Sequence, residues 1–170
     1  MKTDPILVPL DLTGCAYEVV ECVATLASKL KSRVILMNVV QIPAGVNPYA
    51  TLMMDEQEWH TAREILDQDA RALLEPFRMQ LAAEDIRVTH FLGHGDVVEA
   101  ILTAAKEVDA GMIVMGTHGR KGLERIMLGS VAEQVIRRAS RPVMVVRSQD
   151  LSVHPGPSET VKRVQDEADG

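Results

Sequence analysis

The chain alternates short, strongly apolar runs with longer stretches whose apolar residues recur at helical spacing. Residues 34–40, VILMNVV, are nearly all apolar and rich in β-branched side chains, which is typical of a strand buried on both faces of a parallel sheet. The same reasoning predicts strands at 6–10, 34–40, 86–92, 112–116 and 143–147. The helical spacing predicts helices at 14–31, about 55–84, 96–108 and 130–139.

This βαβαβαβαβ order predicts an α/β fold. Right-handed crossovers return each strand beside a neighbour and lay its helix on the sheet, so we expect an open parallel five-stranded sheet with helices on both faces. The 170 residues suffice for one well-packed domain. We expect it over residues 1–148, followed by a polar, mobile tail over 149–170. Pro76 interrupts the second helical pattern and predicts a kink or a split near Glu75.

Composition excludes several classes of function. A formal net charge of −6 disfavours nucleic acid as a partner, because such binding needs a basic face. No apolar run approaches the roughly 20 residues of a membrane span, and the first residues lack the apolar core of a signal peptide, so we expect a cytoplasmic protein. Cys15 and Cys22 are too far apart along one helix to form a disulfide and are expected to face the core. The histidines show no convincing metal-ligand spacing.

Residues 112–130, MIVMGTHGRKGLERIMLGS, have the pattern of a phosphate-binding turn. An apolar strand ends at Gly116, and Gly116 and Gly119 leave room for a ligand to approach the backbone. Gly129 and Ser130 then begin a helical pattern. The free N–H groups and the positive end of that helix would face the turn, which predicts an anion as its ligand.

Two common phosphate-binding motifs do not account for this segment. The order Lys121-Gly122 is the reverse of the Gly-Lys that a Walker A loop requires. The first strand-to-helix turn reads DLTGCA and lacks the G-x-G-x-x-G dinucleotide fingerprint. What remains is Gly116, two residues, Gly119, nine residues, and then Gly129 with Ser130.

This G-x2-G-x9-G-S pattern, continued by LGSVAEQVIRRASRPVMVV, resembles the nucleotide-binding branch of the universal stress protein family. The resemblance covers residues 4–147. It implies a Rossmann-like fold that binds ATP together with Mg²⁺ or Mn²⁺. It also implies a homodimer that pairs through the last strand, PVMVVR, which begins at Pro142 and ends at Arg147. Cover by the polar tail is the alternative for that apolar edge.

The resemblance further implies which positions contact the nucleotide. Adenine, ribose and the phosphate-bound metal would be met by Pro9, Leu10 and Asp11, with Asp11 reaching the metal indirectly through the phosphates. Val39 would meet the adenine. Ribose and phosphates would be lined by Met115, Gly116, His118, Gly119 and Arg120. The outer phosphates would be held by Gly129, Ser130 and Val131.

Simpler interpretations of these residues stay open. Asp11 and Ser130 could each do no more than cap a helix. The glycines could serve turn geometry alone, and Arg120 and Lys121 could be solvated surface charge. Residues 41–54, with two prolines, form either a lid over the ligand or a mere connection.

The function expected from these observations is an ATP-binding protein that reports a stress or energy state, with slow or no hydrolysis. Phosphoryl transfer needs a group that orients water, and the sequence assigns none, so no catalytic residue is named. Two alternatives stand beside this hypothesis. One is a hydrolase that cleaves ATP with a metal at Asp11, and the other is a nucleotide-free dimeric interaction module.

Overall fold

The computed structural model describes residues 4–12, 15–41, 53–117 and 129–147. Within them the strands are β1 (Ile6–Pro9), β2 (Val34–Val40), β3 (Val88–His94), β4 (Met112–Gly116) and β5 (Val143–Val146). The helices are α1 (Ala16–Leu30), α2 (Glu56–Ala83), α3 (Val97–Glu107) and α4 (Ser130–Arg138). The expected tail and most of the 41–54 segment lie outside the described residues.

The strands form one parallel sheet in the order β3-β2-β1-β4-β5. The chain builds outward from β1 to β3, then crosses to the other side of β1 to form β4 and β5. The expected open parallel five-stranded sheet is therefore confirmed. The direction of building reverses between β1 and β4, and ligands of such sheets bind at that switch point, beyond the carboxyl ends of the strands.

Helices cover both faces of the sheet, as the alternation predicts. Ile6 and Val8 pack with α1 and α2 on one face. Leu7, between them, packs with α3 and α4 on the other. All three are at most 1% exposed, because successive side chains of a strand point to opposite faces and here both faces are covered.

Helix α2 continues through Pro76, where the sequence predicts a kink or a split. The helix runs unbroken from Glu56 to Ala83 with Pro76 inside it, so the split expected near Glu75 does not occur. Pro76 is exposed, whereas Leu74, Phe77 and Leu81 on either side of it are buried. Packing of that apolar face holds the helix together across the missing N–H group.

The bounds of β3 also differ from the prediction. The strand begins and ends two residues later than the predicted 86–92, at Val88 and His94. Its limits follow the pairing with β2, which runs from Val34 opposite Val88 to Val40 opposite His94. Among the described helices, none combines the length and apolar character that a membrane span requires.

Candidate functional site

The structure brings two groups of the predicted site residues to the same edge of the sheet. Pro9 ends β1 and is followed by Leu10 and Asp11, while Met115 and Gly116 end β4. Because β1 and β4 are parallel, hydrogen-bonded neighbours, their carboxyl ends lie side by side at the switch point.

The turn after β1 is tied to the end of β2 through both backbone groups of Leu10. The Leu10 N–H donates to the Met37 carbonyl at 2.8 Å. The Asn38 side chain donates from Nδ2 to the Leu10 carbonyl, also at 2.8 Å. Sequence reasoning missed Asn38, although the signal was present as the one polar residue within VILMNVV.

Asp11 lies beyond this fixed residue, exposed at the edge of the sheet. The interpretation that it simply caps the first helix is wrong, because the N-cap residue of α1 is Cys15, four positions later. Leu12 follows Asp11 with a left-handed φ of 61°, so the chain turns sharply directly after the carboxylate.

Gly116 has a packing reason of its own. A Cβ atom at this position would lie 2.6 Å from the Sγ atom of Cys15. A side chain at this position would require the buried Cys15 thiol to move. Cys15 is buried and Cys22 half-buried, and both are free thiols, as the geometry of one helix requires.

Helix α4 begins beside the end of β4. Its N-cap residue is Gly129, which has no side chain to cap the helix, and the exposed Ser130 is the first helical residue. The interpretation of Ser130 as the cap is therefore wrong. The Gly129 N–H donates to the Thr117 carbonyl at 2.8 Å, and the Thr117 N–H donates to the Val146 carbonyl at 3.1 Å.

These two bonds hold Thr117 and Gly129 together at the ligand edge. The N–H groups in the first turn of a helix have no acceptor within the helix, and the N-terminus carries a partial positive charge. Since Gly129 touches Thr117, directly after β4, this positive end lies at the same edge as Asp11. His118, Gly119 and Arg120 lie outside the described residues.

Two further predicted positions have side chains packed into the sheet. Val39 is half-buried on β2, opposite Gly93 of β3, and contacts the core cluster shared with α3 and α4. Met115 is 6% exposed in the same cluster. Their side chains thus form an apolar floor beneath the edge, and their backbones stand at the ends of β2 and β4.

A polar cluster near this edge was not foreseen from the sequence. His94, the last residue of β3, places Nε2 2.7 Å from an Asp67 carboxylate oxygen of α2. Its Nδ1 lies 3.2 Å from a guanidinium nitrogen of Arg63. A guanidinium can only donate and a carboxylate can only accept, so the two ring nitrogens of His94 face partners of opposite character. With both ring nitrogens engaged, His94 serves to anchor α2 on β3.

A cavity of about 140 Å³ lies elsewhere, between the C-terminal parts of α3 and α4. Its lining includes Arg138 and Arg141, which form ion pairs with Glu99 and with Asp109, the latter at 2.7 Å. Basic side chains at helix C-termini offset the negative end of the helix dipole. The ion pairs of Arg138 and Arg141 therefore stabilise the fold and need no ligand to explain them. The described residues hold no group of three or more His, Cys, Asp or Glu side chains placed to bind a metal ion.

The parallel sheet is doubly wound, and at its switch point lie the hydrogen-bonded turn after β1 and the start of α4, where the N-cap residue is a glycine. This arrangement defines a Rossmann-like α/β protein. The chain matches the Universal stress protein family over residues 2–147, and it belongs to that family. The predicted family and the predicted fold are thus both confirmed.

Individual relatives agree with this assignment. The chain is 31% identical over 142 residues to Universal stress protein MJ0531 of Methanocaldococcus jannaschii, covering 84% of this chain and 81% of that one. The solved structure of MJ0577, from the same organism, aligns with a TM-score of 0.69 and 26% identity, covering 88% and 99% of the two chains. An Archaeoglobus fulgidus universal stress protein, solved in complex with dAMP, shares the fold at a TM-score of 0.59 and 24% identity, covering 85% and 98%.

Proposed function

We propose that this protein binds ATP, with Mg²⁺ or Mn²⁺, at the carboxyl edge of β1 and β4, and that binding reports a stress or energy state. The observation that carries the proposal is the start of α4. Gly129 leaves the first turn without a side-chain cap, and the Ser130 hydroxyl is exposed beside it, at the edge where Asp11 emerges. Uncapped N–H groups and a hydroxyl are the donors that phosphate oxygens require.

The two sides of the edge supply complementary charge. The N-terminus of α4, through Gly129, Ser130 and Val131, would hold the outer phosphates. Asp11, on the other side, offers the carboxylate oxygens that Mg²⁺ and Mn²⁺ prefer, and would reach a metal carried by those phosphates. The exposed position of Asp11 fits this role.

The remaining contacts follow the order of the strands. Val39, at the end of β2, would meet the adenine, and Pro9 and Leu10 would border adenine and ribose. Met115 and Gly116 would line the ribose. His118, Gly119 and Arg120 would complete the phosphate contacts. The dAMP complex of the A. fulgidus relative supports an adenine nucleotide as the class of ligand. We further propose a cytoplasmic homodimer that pairs through the strand from Pro142 to Arg147.

Titration calorimetry of the full chain with ATP tests the proposal. We expect binding that weakens when Mg²⁺ and Mn²⁺ are withheld, and a loss of about 10-fold in metal-dependent affinity, ~1.4 kcal/mol, in Asp11→Ala. Asp69→Ala removes an equally charged, exposed residue from α2 and should bind as the unaltered protein does. At 100 times its dissociation constant, ATP should stabilise the fold by about 2.7 kcal/mol. An absence of binding at millimolar ATP would contradict the proposal.

Release of phosphate, followed over an hour, separates a binding protein from an enzyme. We expect little or no turnover, because the sequence pattern supplies a metal-holding acid but assigns no group to orient the attacking water. Turnover that disappears in Asp11→Ala would identify a hydrolase instead.

A further inference from the structure

Asn38 connects the carboxyl ends of β2 and β1, beside the switch point between β1 and β4. It lies next to Val39 near the end of β2, and its side chain donates to the Leu10 carbonyl at 2.8 Å. The bond is partly buried, and the Leu10 side chain is 5% exposed in the core. Both partners are thus held in fixed positions.

This bond lies where the regular pairing of β1 ends. The last matched pair of β1 and β2 is Pro9 opposite Met37. The Leu10 N–H, bonded to the Met37 carbonyl, and the Asn38 amide extend the connection by one residue.

The residue that follows this connection is Asp11. It stands between Leu10, fixed on both backbone groups, and Leu12, whose φ of 61° lies in the left-handed region. The backbone from which Asp11 leaves the sheet is therefore held on its N-terminal side by the two bonds of Leu10.

We infer that Asn38 is a positioning residue for the nucleotide: its amide fixes the turn that presents Asp11 to the phosphate-bound metal. The inference rests on the proposed function. It assigns Asn38 no contact with the ligand. Asn38 adjoins Val39, which we propose to meet the adenine. Its bond to Leu10 therefore also links the end of β2 to the turn after β1, which we propose to meet the metal.

The chemistry of the bond determines which substitutions are informative. Asn38→Ala removes the donor and leaves the Leu10 carbonyl without that partner. Asn38→Asp keeps the shape but sets a carboxylate against the carbonyl oxygen, and both groups only accept hydrogen bonds. Ile35→Val is the matched control. It trims a buried side chain on the same strand, three residues from Asn38, and weakens packing without touching the turn.

The experiment compares the binding of Mg·ATP and of adenosine by calorimetry, with melting temperatures recorded for each variant. Adenosine carries no phosphates and no phosphate-bound metal, so its affinity should not depend on the direction of the Asp11 side chain. We expect Asn38→Ala to bind Mg·ATP about 10-fold more weakly and adenosine less than about 3-fold more weakly, with a larger loss for ATP in Asn38→Asp. Ile35→Val should bind both ligands as the unaltered protein does.

Each other outcome decides against the inference. Undiminished Mg·ATP binding by Asn38→Ala overturns it, with the proposed function intact. Equal losses for ATP and adenosine, matched by Ile35→Val at a similar melting temperature, show that Asn38 contributes only to stability and also overturn it. If the unaltered protein binds no Mg·ATP, the proposed function fails and the inference fails with it.

Discussion

His90 lies on β3 with its side chain packed under α2, and its Nε2 atom is buried without a hydrogen-bond partner among the described residues. Burial lowers the pKa of His90 from its ordinary 6.5. The Glu75 carboxylate, 3.9 Å away, opposes the shift, and the charges of Arg78 and Arg71 add to it. The neutral imidazole is therefore the form that the fold favours.

This lowered pKa predicts a loss of stability in mild acid. Below pH 6.5 the unfolded chain binds a proton at His90 that the folded protein resists, so the free energy of unfolding falls as the pH drops from 6.5 toward the folded pKa. His90→Gln cannot take up that proton, and we expect its stability to fall less between pH 7.5 and pH 5 than that of the unaltered protein. Urea unfolding at the two pH values measures the difference.

Two features keep this measurement specific. The pKa of Glu75 is lowered by its hydrogen bonds with Arg78, so its own contribution is lost only below its ordinary value of 4.5, outside the interval. His60→Gln changes an exposed histidine of α2 and should keep the full pH dependence. If His90→Gln also keeps it, the acid sensitivity arises elsewhere.

Single residues also show where sequence reasoning about the site reached its limit. The glycine spacing located the end of β4 and the start of α4 correctly. Whether Asp11 and Ser130 cap helices depends on which residue begins each helix, and sequence patterns fix such boundaries poorly. The contact between Gly116 and Cys15, and the bond from Asn38 to Leu10, join residues far apart in sequence, and only the fold reveals them.

At the scale of elements, local preference and packing disagree in α2. Proline predicted a kink or a split because it lacks an N–H and its ring crowds the preceding turn, and the split does not occur. The buried residues Leu74, Phe77 and Leu81 outweigh that cost, and the capping box between Asp55 and Glu58 begins the helix where the sequence predicts. The order of the strands in the sheet is a property that alternation alone does not determine, because it depends on how the crossovers pack.

We therefore predict that Pro76→Ala stabilises the protein. The residue is exposed, so no packing is lost, and alanine restores an N–H that can bond within the helix. Proline costs about 3 kcal/mol relative to alanine in a helix interior, and we expect a gain of about 1 to 3 kcal/mol in urea unfolding. Gln68→Ala, at another exposed position of α2, should change stability by no more than about 0.5 kcal/mol. A loss of stability in Pro76→Ala would show that the proline ring is needed for the path of the helix.

At the scale of the whole molecule, β5 leaves the sheet with an edge. The strand pairs with β4 on one side, and no described strand pairs with the other. The carbonyl of Pro142, directly before β5, accepts from the Ile113 N–H of β4. The Val146 carbonyl accepts from the N–H of Thr117, directly after β4. Because backbone groups alternate along a strand, the N–H and C=O of Val145 point away from β4, toward the open edge. Met144 adds a side chain that is 38% exposed.

Val145 would contribute outward backbone groups to the proposed homodimer, and Val145→Pro should weaken it. Proline removes the outward N–H and leaves the bonds to β4 in place. A two-fold pair loses one such bond from each protomer, at about 1 kcal/mol each, which raises the dissociation constant of the dimer about 10- to 100-fold. Sedimentation over a range of protein concentrations measures this, and Val145→Thr, which keeps the N–H, should remain dimeric. An unaltered protein that stays monomeric at high concentration would contradict the dimer and favour cover of the edge by residues 149–170.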